Sequence, residues 1–394
     1  MLAQTQNGKM LRVSTQRAEA IIQSEIRAMS IECEKVQGIN LAQGVCDTPL
    51  PRPVAEGAKA AIGRDCNSYT RYDGIDELRS AIAQKLCTYN RINADPETQI
   101  TVTSGSTGAF YCACLALLNP GDEVILFEPY YGYHVNTLRA TQAVPAYVTM
   151  QPPDWSFTPD DLQAAVTART KAILVNTPAN PSGKVFTATE LEWIADFATN
   201  HDLLVFTDEI YEYFLYDSRT HISPAALPGM AERTITISGF SKTYSITGWR
   251  IGYSCCQPEW ARIIGYMHDL VYVCAPSPLQ WGAVAGLNEL NAQFYSDLAL
   301  EYRAKRNQLC HALEEIGLNP CWPQGAYYVL ADVSRLPGNN SKDRAMYLLK
   351  QTGIAAVPGS AFFHGTGGEN LVRLCYAKTD AELDSACERL GALR

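Results

Sequence analysis

Between about residues 100 and 255 the chain alternates short apolar runs, rich in β-branched residues, with longer stretches of helical periodicity. The runs Ile100–Val102, Glu123–Phe127, Pro145–Thr149, Ala172–Val175, Leu203–Thr207, Thr234–Ile237 and Ile251–Ser254 predict strands. Thr107–Leu118, Pro159–Ala168 and Thr187–Thr199 predict helices between them. Alternation at this spacing implies a mostly parallel, seven-stranded sheet covered by helices, because parallel strands need crossovers and bury both faces. Thr15–Ser30 reads as one amphipathic helix after a flexible start. From about Gln280 to Ile316 the pattern becomes a broken helical region. A smaller α+β unit follows, holding Gly325-Ala326-Tyr327-Tyr328 and Val372-Arg373-Leu374. The expected fold class is α/β, with a large domain over 46–285 and a small C-terminal domain over 286–394. An N-terminal arm over 1–45 is expected to form part of the small domain. In open sheets of this kind ligands sit beyond the C-terminal ends of the strands, so chemistry is expected from residues that follow them.

Composition narrows the class. The 394 residues leave room for two or three domains. With 47% apolar and 19% charged residues the chain is a packed globule, not a disordered or fibrous one. Its net charge of −9, from 32 basic and 41 acidic residues that are interspersed, lacks the basic footprint of a nucleic-acid binder. No run of 18 apolar residues predicts a membrane span. Met1–Lys9 lacks the charged-then-apolar order of a secretory leader. The thirteen cysteines are odd in number and scattered, several inside apolar runs (Cys112, Cys114, Cys274), which fits reduced thiols in the cytoplasm. With no Cys-x-x-Cys and no His-x-x-x-His, no metal site is expected.

Candidate chemistry centres on Ser241-Lys242-Thr243-Tyr244-Ser245-Ile246-Thr247-Gly248-Trp249-Arg250-Ile251-Gly252-Tyr253. A lysine among hydroxyls and small residues loses its proton more easily when desolvated and can then attack a carbonyl. Arg250, eight positions on, offers paired donors that match a phosphate. An aldehyde cofactor carrying a phosphate meets both demands, and pyridoxal 5′-phosphate is such a cofactor. Asp208 follows an apolar strand; it reads either as a helix N-cap or as a carboxylate facing a ring nitrogen. Asn180 lies in Asn180-Pro181-Ser182-Gly183 after another strand, where turn signals are equally expected. Ser104-Gly105-Ser106-Thr107-Gly108 joins a strand to a helix start, a place suited to an anion. It is followed by no Gly-Lys-Ser/Thr, and no Gly-x-Gly-x-x-Gly occurs, which removes nucleotide readings of the usual kind. Arg373, flanked by apolar residues, needs an anion, either a substrate or a structural salt-bridge partner.

Ser241-Lys242 followed by Gly248-Trp249-Arg250-Ile251-Gly252-Tyr253 resembles the lysine signature of fold-type I, class I/II aminotransferases of the aspartate, aromatic and kynurenine type. The other elements recur in family order from about residue 40 to 377. The resemblance implies that Lys242 carries pyridoxal 5′-phosphate as an imine and moves the proton between substrate and cofactor. It implies that Asp208 keeps the pyridine ring protonated, while Tyr211 and Asn180 bind its phenolic oxygen. Gly105, Ser106, Thr107, Ser241 and Arg250 would hold the phosphate, and Tyr131 would stack on the ring where tryptophan or phenylalanine is commoner. Tyr69 would reach the phosphate of a neighbouring subunit, which implies a homodimer with shared sites. Arg373, Asn180 and the backbone at Gly44 would bind the substrate α-carboxylate. Gly239 departs from the pattern, standing where some members have a phosphate-binding serine; Ser238 or Ser241 would compensate. The absence of lysine at Thr107 disfavours aspartate, and tyrosines near the motifs (Tyr130, Tyr133, Tyr327, Tyr328) favour neutral or aromatic side chains. The expected reaction is ping-pong transfer of an amino group from an L-amino acid to a 2-oxo acid. A carbon–sulfur β-lyase or an aminocyclopropane-carboxylate-synthase-like enzyme shares these elements and is the alternative. A cofactor-sensing regulator is disfavoured, since fewer than about 40 residues precede the first element, too few for a winged helix.

Overall fold

All seven predicted strands form one sheet. A computed structural model describes residues 2–4, 10–12, 14–21 and 23–394; much of Met1–Lys9, read above as lacking a leader, lies outside the described residues. The strands are β1 (Ile100–Ser104), β2 (Glu123–Glu128), β3 (Val144–Thr149), β4 (Thr170–Asn176), β5 (Leu204–Asp208), β6 (Thr234–Gly239) and β7 (Ile251–Cys255). They lie in the order β1-β7-β6-β5-β4-β2-β3. Neighbours are parallel across β3-β2-β4-β5-β6. Only β7 runs against both of its neighbours. The reason is its connection: residues 240–250 return directly from β6 through turns, without the crossover helix that a parallel neighbour requires. Every residue of β2, β6 and β7 is buried, which explains their continuous apolar runs, whereas β3 at the edge is partly exposed.

Helix ends follow local chemistry. Thr187 accepts from Glu190 N and Glu190 reaches back to Thr187 N, a capping box that opens Ala188–Asn200. Thr158 and Asp161 do the same for Pro159–Ala165. That helix stops short of the expected Ala168, because Val166 turns extended and the Thr167 hydroxyl is drawn to Glu123 of β2. The Thr15–Ser30 expectation needs a larger correction: it is two helices, Gln16–Ala20 and Glu25–Lys35. Extended backbone at Ile21 and Ser24 separates them. The second helix is held by Met29 and Cys33, which are buried. The first is exposed at residues 17–20, so packing does not keep the two in line.

The C-terminal unit is an antiparallel sheet of β8 (Asn319–Cys321), β9 (Tyr328–Asp332), β10 (Val357–Pro358) and β11 (Leu371–Cys375), in the order β8-β9-β11-β10. The short strand Ile39–Asn40 pairs with Ile354–Ala355 and ties the early chain to this unit. One apolar cluster runs from Ile125, Phe127, Val175 and Val205 of the central sheet to Leu330, Val372 and Leu374 of the smaller one. Burying each such side chain contributes about 1.5–3 kcal/mol, so the sheets are welded where a cleft opens between them. Among the described residues no helix is long and apolar enough to cross a membrane.

Candidate active site

The cleft has a volume of about 470 Å³, within the usual size of small-molecule sites. Gly44, Ser106, Thr107, Tyr131, Asn180 and Asp208 line it, as do Tyr211, Ser241, Lys242, Arg250 and Arg373. Positions far apart in the chain therefore meet at the C-terminal ends of β1, β4, β5 and β6 and at the start of the reversed β7. Gly105 lies just behind, against Arg250. Tyr69 does not reach this cleft; it is 82% exposed on the same chain.

The Lys242 amine donates to Gly44 O at 3.2 Å and lies 5.9 Å and 5.7 Å from the ring centres of Tyr211 and Tyr327. Burial pushes its pKa below the ordinary lysine value; Arg250 adds to this, while Cys46, Cys375 and Asp208 oppose it. The group is set up as a nucleophile or proton carrier.

Asp208 ends β5, and a turn rather than a helix follows, so the N-cap reading is set aside. Its Oδ1 accepts from Ile210 N at 3.3 Å, and its Oδ2 lies 2.9 Å from His134 Nε2. His134 was not singled out from the sequence. It stands on the first turn of Gly132–Ala140, just beyond β2, and its position beyond a strand end was the available signal. Its ring meets Tyr131 edge-on at 5.2 Å, and Tyr131 stacks on Tyr133 at 5.3 Å. Burial raises the Tyr131 and Tyr211 hydroxyl pKa values far above the ordinary range, so both remain neutral donors. Tyr130 points elsewhere and donates to Phe363 O at 2.9 Å.

At the other end, the helix Gly105–Leu117 presents its first N–H groups, which have no intrahelical acceptors, beside the Arg250 guanidinium. Gly105 has φ +73, and a Cβ there would stand 2.8 Å from Arg250 Cζ. Gly252 is also needed bare, because a Cβ would strike the Ser106 nitrogen. Arg250 donates to Thr247 O at 3.1 Å and, among the described residues, pairs with no carboxylate. Gly239 is explained by packing: a Cβ would come 2.9 Å from Gly252 Cα and 3.0 Å from Ile251 O. Of the two serines expected to compensate, Ser238 is turned away and donates to Glu212 Oε1 at 2.9 Å. Ser241 lines the cleft.

Arg373 is 0% exposed. Its Nη1 donates to Asn180 Oδ1 at 2.9 Å, Nη2 to Ala42 O, and buried Nε has no partner. The guanidinium lies 4.4 Å from the Tyr328 ring centre and 5.1 Å from that of Phe362. The Tyr328 hydroxyl is 2.9 Å from that of Tyr211. A Cβ on Gly44 would overlap the Tyr328 hydroxyl, so that glycine keeps the floor of the cleft open. The result is a buried cation with only neutral oxygens around it, facing an amine of lowered basicity.

Residues 36–390 match the family model described as aminotransferase class I and II. The aromatic-amino-acid aminotransferase 2 of Thermococcus litoralis is 36% identical over 380 residues, covering 95% of this chain and 96% of that protein. The aspartate aminotransferase of Pyrococcus abyssi is 37% identical over 380 residues, covering 95% and 96%. The structure of N-succinyldiaminopimelate aminotransferase from Mycobacterium tuberculosis superposes with a TM-score of 0.93 at 34% identity, covering 97% of this chain and all of that one. With residues 36–390 matched by the family model and nearly its whole length shared with relatives more than 30% identical, the chain is an enzyme that transfers amino groups and belongs to the class I and II aminotransferases.

Proposed function

We propose that the enzyme uses pyridoxal 5′-phosphate to move the amino group of a neutral or aromatic L-amino acid to a 2-oxo acid by a ping-pong mechanism. The observation that carries this reading is Arg373, a fully buried cation in the cleft with no carboxylate partner among the described residues. Such a charge is costly until an anion meets it, and the α-carboxylate of an amino acid or oxo acid is the anion that both half-reactions share.

The donor set suits the cofactor. Arg250, the helix start at Gly105, Ser106 and Thr107, and Ser241 would take its phosphate, and the bare Gly105 leaves the space. Asp208, oriented by His134, would face the ring nitrogen, and Tyr131 would lie over the ring. When bound, the cofactor supplies an electron-withdrawing ring that stabilises negative charge at the substrate Cα. Tyr211 and the Asn180 amide would donate to its phenolic oxygen, while Asn180 Oδ1 stays on Arg373. Lys242, already low in basicity, would hold the cofactor and carry the proton at Cα, a contribution on the order of 10²–10⁴-fold. Arg373 and the backbone at Gly44 would hold the carboxylate. Tyr133, Tyr328 and Phe110 in the lining favour large neutral side chains.

A cytoplasmic homodimer is part of the same reading. Tyr69, Leu270 (80% exposed) and partly exposed Tyr266, Val271 and Val273 supply apolar surface for a second copy, whose site Tyr69 would enter. We also assign 46–285 to the cofactor domain, with 1–45 and 286–394 to the smaller one. The test is a half-reaction screen: each amino acid is mixed with cofactor-loaded enzyme and the shift of cofactor absorbance followed. Neutral and aromatic amino acids are expected to react fastest, and Lys242→Ala to abolish turnover. Normal turnover by that variant, or pyruvate release from cystathionine without any added oxo acid, would overturn the proposal.

A further inference from the structure

The turn after β5 sorts its side chains to two sides. Asp208 and Tyr211 line the cleft; Glu209 and Glu212 enter a polar cluster closed to solvent, 0% and 3% exposed. Glu209 Oε1 accepts from Thr207 at 2.7 Å and from Ser223 at 2.8 Å, and its Oε2 lies 2.6 Å from His221 Nε2. Glu212 Oε2 meets the Lys85 ammonium at 2.5 Å and accepts from Asn90 at 2.8 Å, and its Oε1 accepts from Ser238. Asn90 also donates to Glu209 Oε2 at 3.3 Å. Lys85, 8% exposed at the end of helix Asp76–Lys85, donates to the Tyr253 hydroxyl at 3.1 Å. The rings of Tyr89, Tyr213 and Tyr253 lie 5.5–5.8 Å from its nitrogen. Ligand atoms of Glu209, Glu212 and His221 fall within 4.8 Å of one another, a spacing that asks for a cation. The Lys85 ammonium is a cation already in place.

Stability alone does not explain such a cluster, since a buried ion pair gives little that a well-packed apolar group of the same volume would not. Its connections do. It grips the turn that carries Asp208 and Tyr211, β6 at Ser238, four residues before Lys242, and β7 at Tyr253, three residues after Arg250. These three places deliver the groups assigned above to the ring, the covalent link and the phosphate. We propose that Lys85, Glu212 and Glu209 are positioning residues that fix these three delivery points relative to one another. The inference rests on the cofactor roles proposed for Asp208, Tyr211, Lys242 and Arg250.

The test uses full-length Glu212→Gln and Lys85→Met, which keep volume. Four quantities are read: thermal midpoint, pyridoxal phosphate Kd of the apo-protein by fluorescence quenching, the pKa of the Lys242–cofactor absorbance band, and kcat and KM for the amino acid. The volume-keeping variants are expected to melt within a few degrees of wild type, yet bind cofactor about ten- to a hundredfold more weakly. Their absorbance pKa should shift and kcat fall about tenfold or more, with KM changed little. If Glu212→Gln and Lys85→Met lose thermal stability while Kd and the absorbance pKa stay at wild-type values, the cluster is a fold element only and the proposal falls. A wild-type protein that forms no absorbing link with the cofactor would instead overturn the underlying cofactor reading, and this inference with it.

Discussion

Replacing Arg373 by methionine separates what the residue does for the fold from what it does for a substrate. The substitution keeps an unbranched side chain of similar length and removes the charge. On the side of the fold it forfeits hydrogen bonds to Asn180 Oδ1 and Ala42 O, roughly 1.5–3 kcal/mol each because the donor is charged. It also forfeits the contacts with the Tyr328 and Phe362 rings, about 1–2 kcal/mol together. Against this it removes an interior charge with no acidic partner among the described residues, a gain of similar size. The melting midpoint of the ligand-free protein should therefore move by only a few degrees. On the side of the reaction, and on the role proposed for Arg373, it would delete two charge-assisted hydrogen bonds to a carboxylate, about 1.5–3 kcal/mol each. Taken together that is a fall in kcat/KM of about 10²–10⁴-fold. Differential scanning calorimetry and steady-state kinetics with one amino acid and one oxo acid measure both sides. A small carboxylic acid should raise the wild-type midpoint and leave that of Arg373→Met where it is. If the variant melts many degrees lower while kcat/KM is preserved, Arg373 is a structural cross-brace and the substrate argument fails.

Gly105→Ala should place a methyl group against the Arg250 guanidinium in a left-handed backbone conformation, and cofactor affinity should fall about tenfold or more by fluorescence titration; unchanged affinity would contradict the phosphate assignment. Asp208→Asn should lower kcat by about a hundredfold or more with the circular dichroism spectrum intact, and His134→Ala should lower it by less, since His134 acts through Asp208; an Asp208→Asn enzyme with wild-type kcat would remove its role. The rate at which apo-protein captures the cofactor aldehyde should climb with pH and level off below 10.5, because Lys242 is deprotonated above a pKa that burial has lowered from that value. Between the lowered value and the unfolded one near 10.4 the unfolded chain binds the extra proton, so this group's contribution to stability rises with pH and is lost as pH falls through the folded pKa. Lys242→Met, compared with wild type in alkaline urea titrations, should flatten that slope.

Strands buried on both faces write themselves as unbroken apolar runs, which is why β2, β6 and β7 were legible within a few residues. The rule that ligands gather beyond strand ends then led from the expected strands to Asp208 and Asn180, while Lys242 and Arg250 stood out by the residues around them. The break between Gln16–Ala20 and Glu25–Lys35 was not legible, because it depends on which helix finds a core to bury in. His134 escaped because one histidine on a helix carries no pattern of its own. Lys85, Glu209 and Glu212 escaped for a different reason: local sequence marks charged residues as surface, and only the fold shows them buried together. The choice between Ser238 and Ser241 needed the fold, which turns Ser238 of β6 toward Glu212 and places Ser241 in the turn beyond the strand.

The reversal of β7 has a consequence for how this enzyme can change over evolutionary time. Because that strand comes straight back, the reactive amine and the guanidinium sit in one short bridge, residues 240–250, clamped at both ends between adjacent strands. Surface connections usually accept insertions and deletions freely. On the roles proposed for Lys242 and Arg250 this one should not, since adding or removing a residue would alter the span between the two groups assigned to one cofactor. New specificities should therefore arise by reshaping the segment that lines the cleft with Ser24, Ile26, Arg27, Ser30 and Ile31, while the bridge keeps its length.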